Sequence, residues 1–153
     1  MTELDAIDRR ILNVLQADGR ISNLDLAQKV HLSPPACSER VKRLRDRGVI
    51  VGYTALVDPA EVGLPLLIVM EVSLDRNTSQ PIEDFAKIVR RTPEILECLM
   101  IAGGFDYLIK VRVKDMAAYR SLLSETFMAL PGIRETRSYA VLEEVKLTTA
   151  LHL

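Results

Sequence analysis

Residues 21–47 (ISNLDLAQKVHLSPPACSERVKRLRDR) carry two helical periods separated by a three-residue break, a pattern few folds accommodate. Ser22 followed by Asp25 is a capping-box-like start, one side chain for each early backbone N–H. Leu24, Ala27 and Val30 recur at helical spacing and predict an apolar stripe. His31-Leu32-Ser33 interrupts that period. Ser33 suits the N-cap of a second helix, and Pro34 suits its first position, where a missing N–H costs nothing. Cys37, Val41 and Leu44, spaced i, i+4, i+7, predict the buried face. At about 100° per residue, Pro35, Ser38, Glu39, Lys42 and Arg43 project the other way.

The cations of this second helix are Arg40, Lys42, Arg43, Arg45 and Arg47, set against Glu39 and Asp46. Residues 1–50 hold nine Lys or Arg and seven acids; the remainder hold eleven and fourteen, so a near-neutral chain carries one locally basic helix. Charge runs commonly mark only a solvated face. The turn and capping pattern adds the geometry that puts one helix into the major groove of double-stranded DNA, and phosphate neutralisation needs only a local concentration of cations. The candidate DNA contacts are Ser33, Pro35, Ser38, Glu39, Arg40, Lys42 and Arg43. Upstream, Ile7, Ile11, Val14 and Leu15 predict a packing helix that Asp18-Gly19 ends. Downstream, Gly48–Ala55 reads as a short Gly-punctuated hairpin. Three helices and a wing make a winged helix-turn-helix over residues 1–52, followed by a linker strand over 53–65.

The pattern then changes. Residues 66–74 read as a strand, and 80–91 as a helix with Ile82, Phe85, Ala86 and Val89 inward, ended by Thr92-Pro93. Residues 95–102 read as a strand, Gly103-Gly104 as a turn, and 105–113 as a strand with Tyr107, Ile109, Val111 and Val113 on one face and Lys110 and Arg112 on the other. Residues 116–130 predict a helix with Met116, Tyr119, Leu123, Phe127 and Leu130 inward, ended by Leu130-Pro131-Gly132. A long strand over 134–146 closes the series. The fold class is therefore α+β, with a ferredoxin-like βαββαβ domain over residues 66–153. Strand 66–74 is apolar on both faces apart from Glu71 and Ser73, which predicts pairing with a second copy. A two-fold dimer would present two recognition helices to a pseudo-palindromic site.

Other classes of chemistry lack their residues. No apolar run reaches bilayer length, and the acidic start Met-Thr-Glu-Leu-Asp lacks a signal-peptide core, so an intracellular protein is expected. Cys37 and Cys98 fit a core helix and a strand and are expected as free thiols. His31 and His152 have no ligand cluster around them, so no metal is expected. There is no dinucleotide fingerprint and no phosphate-cradling loop with lysine. Glu143 and Glu144, adjacent on a strand, would face opposite ways and form no acid/base dyad. Neither catalytic residues nor a cofactor are expected.

The chain resembles the Lrp/AsnC (feast/famine) family of bacterial and archaeal transcription factors. The residues carrying the resemblance are Leu4-Asp5…Asp8-Arg9-Arg10-Ile11-Leu12, Asp18-Gly19-Arg20-Ile21-Ser22-Asn23, Leu32-Ser33-Pro34…Cys37…Glu39-Arg40-Val41 and Gly52-Tyr53-Thr54-Ala55. In the second half they are Gly103…Phe105-Asp106-Tyr107-Leu108, Asp115-Met116…Ala118-Tyr119-Arg120, Leu130-Pro131-Gly132 and Thr136-Arg137-Ser138-Tyr139…Glu143-Glu144-Val145-Lys146. The resemblance implies a cytoplasmic, nucleoid-associated regulator of amino-acid metabolism, forming homodimers that assemble into octamers or similar rings. It implies a free amino acid bound between dimers, at the loop joining the second and third strands and against the last strand. Here that maps to Met100, Ala102, Gly103, Gly104, Phe105 and Asp106, with Thr136 and Ser138 opposite. A zwitterion needs backbone N–H groups for its carboxylate, oxygens for its ammonium and an apolar slot. Consecutive glycines let N–H groups converge, Asp106 could take the ammonium, and Met100 favours leucine or methionine. The plainer alternative is a hairpin turn that Asp106 caps. Two positions depart from the family pattern: His31 stands where the helix-turn-helix turn usually has glycine, and Gly104 where close members carry Asp. The second leaves open a ligand-insensitive architectural DNA-wrapping protein. A regulatory module docking on a metabolic enzyme is disfavoured by the basic helix.

Overall fold

The computed structural model describes residues 3–75, 81–128 and 132–153. The chain forms two compact units, Met1–Leu56 with Lys146–Leu153, and Val57–Val145. The last eight residues group with the first unit, whereas the sequence places them with the second.

The first unit is built on α1 (Ala6–Ala17), α2 (Asn23–Val30) and α3 (Pro34–Asp46). Asp5 caps α1 by accepting from the Asp8 N–H at 2.7 Å. Ser22 caps α2 by accepting from the Asp25 N–H at 3.1 Å, and its hydroxyl donates to the Asp25 carboxylate at 2.7 Å. The core joins Ile11, Leu12, Leu26, Ala27, Val30, Cys37 and Leu44. On α2 the inward residue is Leu26; Leu24 is 57% exposed, correcting the stripe expected there. Leu26, Ala27 and Val30 span i, i+1, i+4, an equally helical face that also packs on α1.

The turn between α2 and α3 closes through left-handed His31 (φ 58°, ψ 47°). The Leu32 N–H reaches the Ala27 carbonyl at 2.9 Å and the His31 N–H reaches Gln28 at 3.2 Å, a Schellman closure. A Cβ in this conformation costs about 1 kcal/mol, partly offset by the greater chain entropy a glycine would lose. His31→Gly is therefore expected to raise the unfolding free energy by up to about 1 kcal/mol, read from urea denaturation; a loss of stability would contradict the strained turn.

Two further local expectations are revised. Gly19 does not take a left-handed conformation; it leaves room for a ring, since a Cβ there would sit 3.1 Å from Tyr53 Cδ1. No strand ladder forms over residues 48–56. The Val49 and Ile50 N–H groups both return to the Leu44 carbonyl, at 2.9 and 3.2 Å, closing the helix end instead of opening a hairpin. The C-terminal residues pack on α1: Gln16 accepts from the Leu151 N–H at 2.7 Å and donates to its carbonyl at 3.0 Å.

The second unit runs β1 (Leu66–Leu74), α4 (Pro81–Arg91), β2 (Ile95–Met100), β3 (Tyr107–Val113), α5 (Met116–Leu122) and β4 (Ile133–Ala140). A π-helical turn, Leu123–Phe127, continues α5. The sheet is antiparallel with order β2-β3-β1-β4, the ferredoxin-like arrangement. Both helices lie on one face, where Phe85, Tyr119, Leu122 and Phe127 cover Ile68, Met70, Val72, Ile109 and Val111. Ile82 and Met116, expected inward, are exposed; each lies in the first turn of its helix. Leu130 and Pro131 lie outside the described residues. β4 ends at Ala140, six residues short of the expected strand: its ladder with β1 closes at Ile68↔Ala140, and beyond it the Val141 N–H still reaches the Leu67 carbonyl at 2.9 Å. Glu144 is therefore not on a strand, and it holds the buried Arg112.

Candidate nucleic-acid interface and effector loop

Helix α3 meets the first unit's core through Cys37 and Leu44, with Val41 packed beside them. Burial raises the Cys37 thiol, keeping it protonated. Pro34 and Pro35 carry no N–H, so α3 begins with fewer unsatisfied donors than most helices. Ser33 takes the N-cap backbone conformation, but its hydroxyl makes no capping bond. The start of α3 is tied to α2 by the Asn23 side chain, which donates to the Pro34 carbonyl at 2.9 Å.

Six of the seven predicted contacts, Ser33, Pro35, Ser38, Glu39, Lys42 and Arg43, are exposed, along with Arg45 and Arg47 further along. The seventh, Arg40, turns toward α1. Its Nη1 donates to Asp5 Oδ2 at 2.6 Å and to Asp8 Oδ1 at 2.9 Å. Arg43 Nη2 reaches both Asp8 oxygens at 3.1 Å. The Arg40 guanidinium, with help from the Asp8 N–H, holds the Asp5 carboxyl below the usual carboxylate range. A lowered folded value makes this contribution to stability present above pH about 4 and lost as pH falls through the folded value. Sequence reading missed Asp8, since a lone acid in a helix's first turn looks like a dipole partner; only the fold shows it buried.

The loop residues of the predicted effector set lie at the end of the sheet where β1 finishes. The loop between β2 and β3 is pinned there: Asp106 N–H donates to the Val72 carbonyl at 2.9 Å, and the Ile101 N–H to the Asp106 carbonyl at 2.9 Å. Asp106 Oδ2 accepts from the Leu74 N–H at 2.7 Å. That carboxylate thus builds the loop. Ala102, Gly103, Gly104 and Phe105 span the bend, and their N–H groups have no acceptor among the described residues. Four successive donors of this kind suit a carboxylate.

The structure does not bring the whole predicted set together within one chain. Met100 ends β2 and is 64% exposed, while Thr136 and Ser138 lie on β4, with β3 and β1 between. Three ladder spacings separate those edges by about 14 Å. Ser138 shares a hydrogen bond with the Tyr119 hydroxyl, and burial raises that phenol. Gly104 and Phe105 instead line a cavity of about 140 Å³ with Glu71, Ser73, Glu135 and Arg137. Sequence reading did not single out those four for binding. Their signal was strand alternation, which puts Glu135 and Arg137 on the face opposite Thr136. Glu135 pairs with Arg137 at 2.8 Å and raises its guanidinium. A larger groove of about 540 Å³ lies at the opposite end of the sheet, between Arg91 and Glu125, and holds none of the predicted residues. No described helix is long and apolar enough to cross a membrane.

Residues 4–51 match the winged helix-turn-helix DNA-binding family, and residues 67–151 match the Lrp/AsnC ligand binding domain. A DNA-reading unit followed by a ligand-binding unit defines a transcription regulator, not an enzyme. The chain is 52% identical over 150 residues to the leucine-responsive regulatory protein of Haemophilus influenzae, covering 98% of this chain and 90% of that one. It is 51% identical over 149 residues to the leucine-responsive regulatory protein of Escherichia coli K12, covering 97% and 91%. A transcriptional regulator of Neisseria meningitidis, solved as its L-Met complex, superposes with a TM-score of 0.94 at 39% identity, covering 98% of this chain and 97% of that one. The chain belongs to the Lrp/AsnC family.

Proposed function

We propose that this regulator binds pseudo-palindromic DNA through the outward face of α3 and that a free amino acid, leucine or methionine, tunes that binding from the β2–β3 loop. The observation that carries the reading is the run of four backbone N–H groups from Ala102 to Phe105 without acceptors among the described residues. The L-Met complex of the Neisseria relative supports the ligand class. Met100 supplies exposed apolar surface at the loop's base. With Thr136 and Ser138 at the far sheet edge, a complete site requires a second copy of the chain. The sheet face opposite the helices, with Leu67, Val69, Leu99, Leu108 and Tyr139, supports homodimers and higher rings of dimers.

Calorimetric titration with each proteinogenic amino acid tests this. Leucine or methionine should release heat, and reciprocity requires operator DNA to shift the ligand's affinity by the factor the ligand shifts DNA's. Heat from none at millimolar concentration would favour the architectural reading. On the DNA side, Lys42→Ala should weaken binding to all sequences and lower the slope of log affinity against log salt by about 0.9. An unchanged affinity and slope would remove Lys42 from the backbone contacts.

A further inference from the structure

Asp8 is the one carboxylate buried among the described residues, at 2% exposed. A buried carboxylate is tolerated only where cations and hydrogen bonds replace its water. Its partners are both on α3. Arg40 Nη1 bridges Asp8 Oδ1 and Asp5 Oδ2, at 2.9 and 2.6 Å, and its side chain is 25% exposed. Arg43 makes longer bonds, 3.1 Å to each Asp8 oxygen, and its side chain is 50% exposed. The Asp8 N–H donates back to Asp5, so the first turn of α1 and the middle of α3 form one network.

The two arginines therefore occupy different states on one helix. Arg40 is held by two acids through Nη1 and faces α1, away from the residues that point outward. Arg43 shares Asp8 with it but has half its surface in solvent, where a phosphate oxygen could replace either bond. Rotation of α3 about its axis would break both Arg40 bonds at once, so the network sets which residues α3 points away from the core.

We propose that Asp8 and Arg40 are positioning residues: they fix the rotation of α3 on α1 so that Ser38 and Lys42 meet the duplex in register, while Arg43 is the exchangeable member that passes to a DNA phosphate. This rests on α3 being the DNA-reading helix. Arg40, the most inward cation of the helix, contributes charge to the fold and none to the duplex. Specific recognition depends on register to a fraction of an ångström, whereas nonspecific binding depends on cation number.

The test uses the full chain and measures fluorescence anisotropy against salt, on an operator duplex and on a scrambled one. Arg40→Ala should lose about tenfold or more on the operator, little on the scrambled duplex, and show an unchanged salt slope. Arg40→Lys, which keeps a donor toward Asp5 and Asp8, should recover most of that loss. Arg43→Ala should lower the slope by about 0.9 on both duplexes. A slope reduced by about one in Arg40→Ala would place Arg40 on a phosphate and overturn the assignment. So would equal losses on both duplexes in a folded Arg40→Ala protein, or tighter binding by Asp8→Asn, since that would mean Asp8 merely sequesters cations. Should Asp8→Asn fail to fold, the Arg40→Ala and Arg40→Lys pair decides alone. If Lys42→Ala and Arg43→Ala both leave the slope untouched, it is the DNA-reading role of α3 that fails.

Discussion

Leu44→Ala is expected to abolish DNA binding at ordinary protein concentrations without altering any group that faces the duplex. Leu44 is fully buried on the inner side of α3, and its carbonyl receives the Val49 and Ile50 N–H groups that end the helix. Truncating a buried leucine to alanine removes its transfer free energy and leaves a cavity, together about 2–5 kcal/mol. A unit of this size holds a stability of about 3–10 kcal/mol, so the substitution takes much or all of it. Leu24→Ala, on the exposed side of α2, should change stability by less than about 0.5 kcal/mol. Thermal unfolding with anisotropy on the same samples checks both. Retained midpoint and affinity in Leu44→Ala would show that α3 does not pack through Cys37, Val41 and Leu44.

Asp106→Ala should cost about 1–3 kcal/mol, because the Leu74 N–H at the buried end of β1 loses its acceptor, and it should eliminate the amino-acid response. Without that anchor the Ala102–Phe105 bend is held over the sheet only by the main-chain bonds of Ile101 and Asp106, and its N–H groups lose their fixed placement. Asp106→Asn keeps an acceptor oxygen and removes the charge, so it should retain most of the stability and most of the ligand affinity. Calorimetry distinguishes the two roles. If Asp106→Asn is folded and binds no amino acid, the carboxylate is the partner of the ligand's ammonium and not the loop's anchor.

Position 104 bears on the same site. A Cβ on Gly104 would meet nothing within 4 Å, and no left-handed backbone requires glycine there. Glycine here, where the family resemblance implies Asp, is therefore a matter of charge and not of space. Glu71 and Glu135, lining the same small cavity, already bring two carboxylates beside Gly104.

Much of this was legible from periodicity. β1 was expected at the bounds it occupies, because a run of apolar residues between Pro65 and Asp75 has no other place than the middle of a sheet. The inward face of β3 followed from strict alternation, and the break between α2 and α3 from the interrupted helical period; the left-handed backbone at His31 fits a position where the family resemblance implies glycine. What escaped were features decided by neighbours far away in sequence. Leu26 replaces Leu24 because α1 covers one side of α2, which a single-helix period cannot express. The hairpin expected after Gly48 fails for want of a facing strand among the described residues. β4 stops at Ala140, after which Glu144 turns to the buried Arg112. Asp8 and Arg40, 32 residues apart, give no local sign of being one network; each alone reads as an ordinary surface charge. The expected effector set divides between the β2–β3 loop and β4 and does not come together in one place within the chain, since β4 lies at the far edge of the sheet.

Dimethyl sulfate protection of bound operator DNA tests the central claim most directly, because the reagent methylates guanine N7 in the major groove and adenine N3 in the minor. With α3 presenting Ser38 to base edges and Lys42 to the phosphates beside them, guanine N7 atoms should be protected in two half-sites about one helical turn, or a multiple of one, apart. Full saturation of the DNA with unchanged N7 reactivity, and protection only at adenine N3, would contradict it.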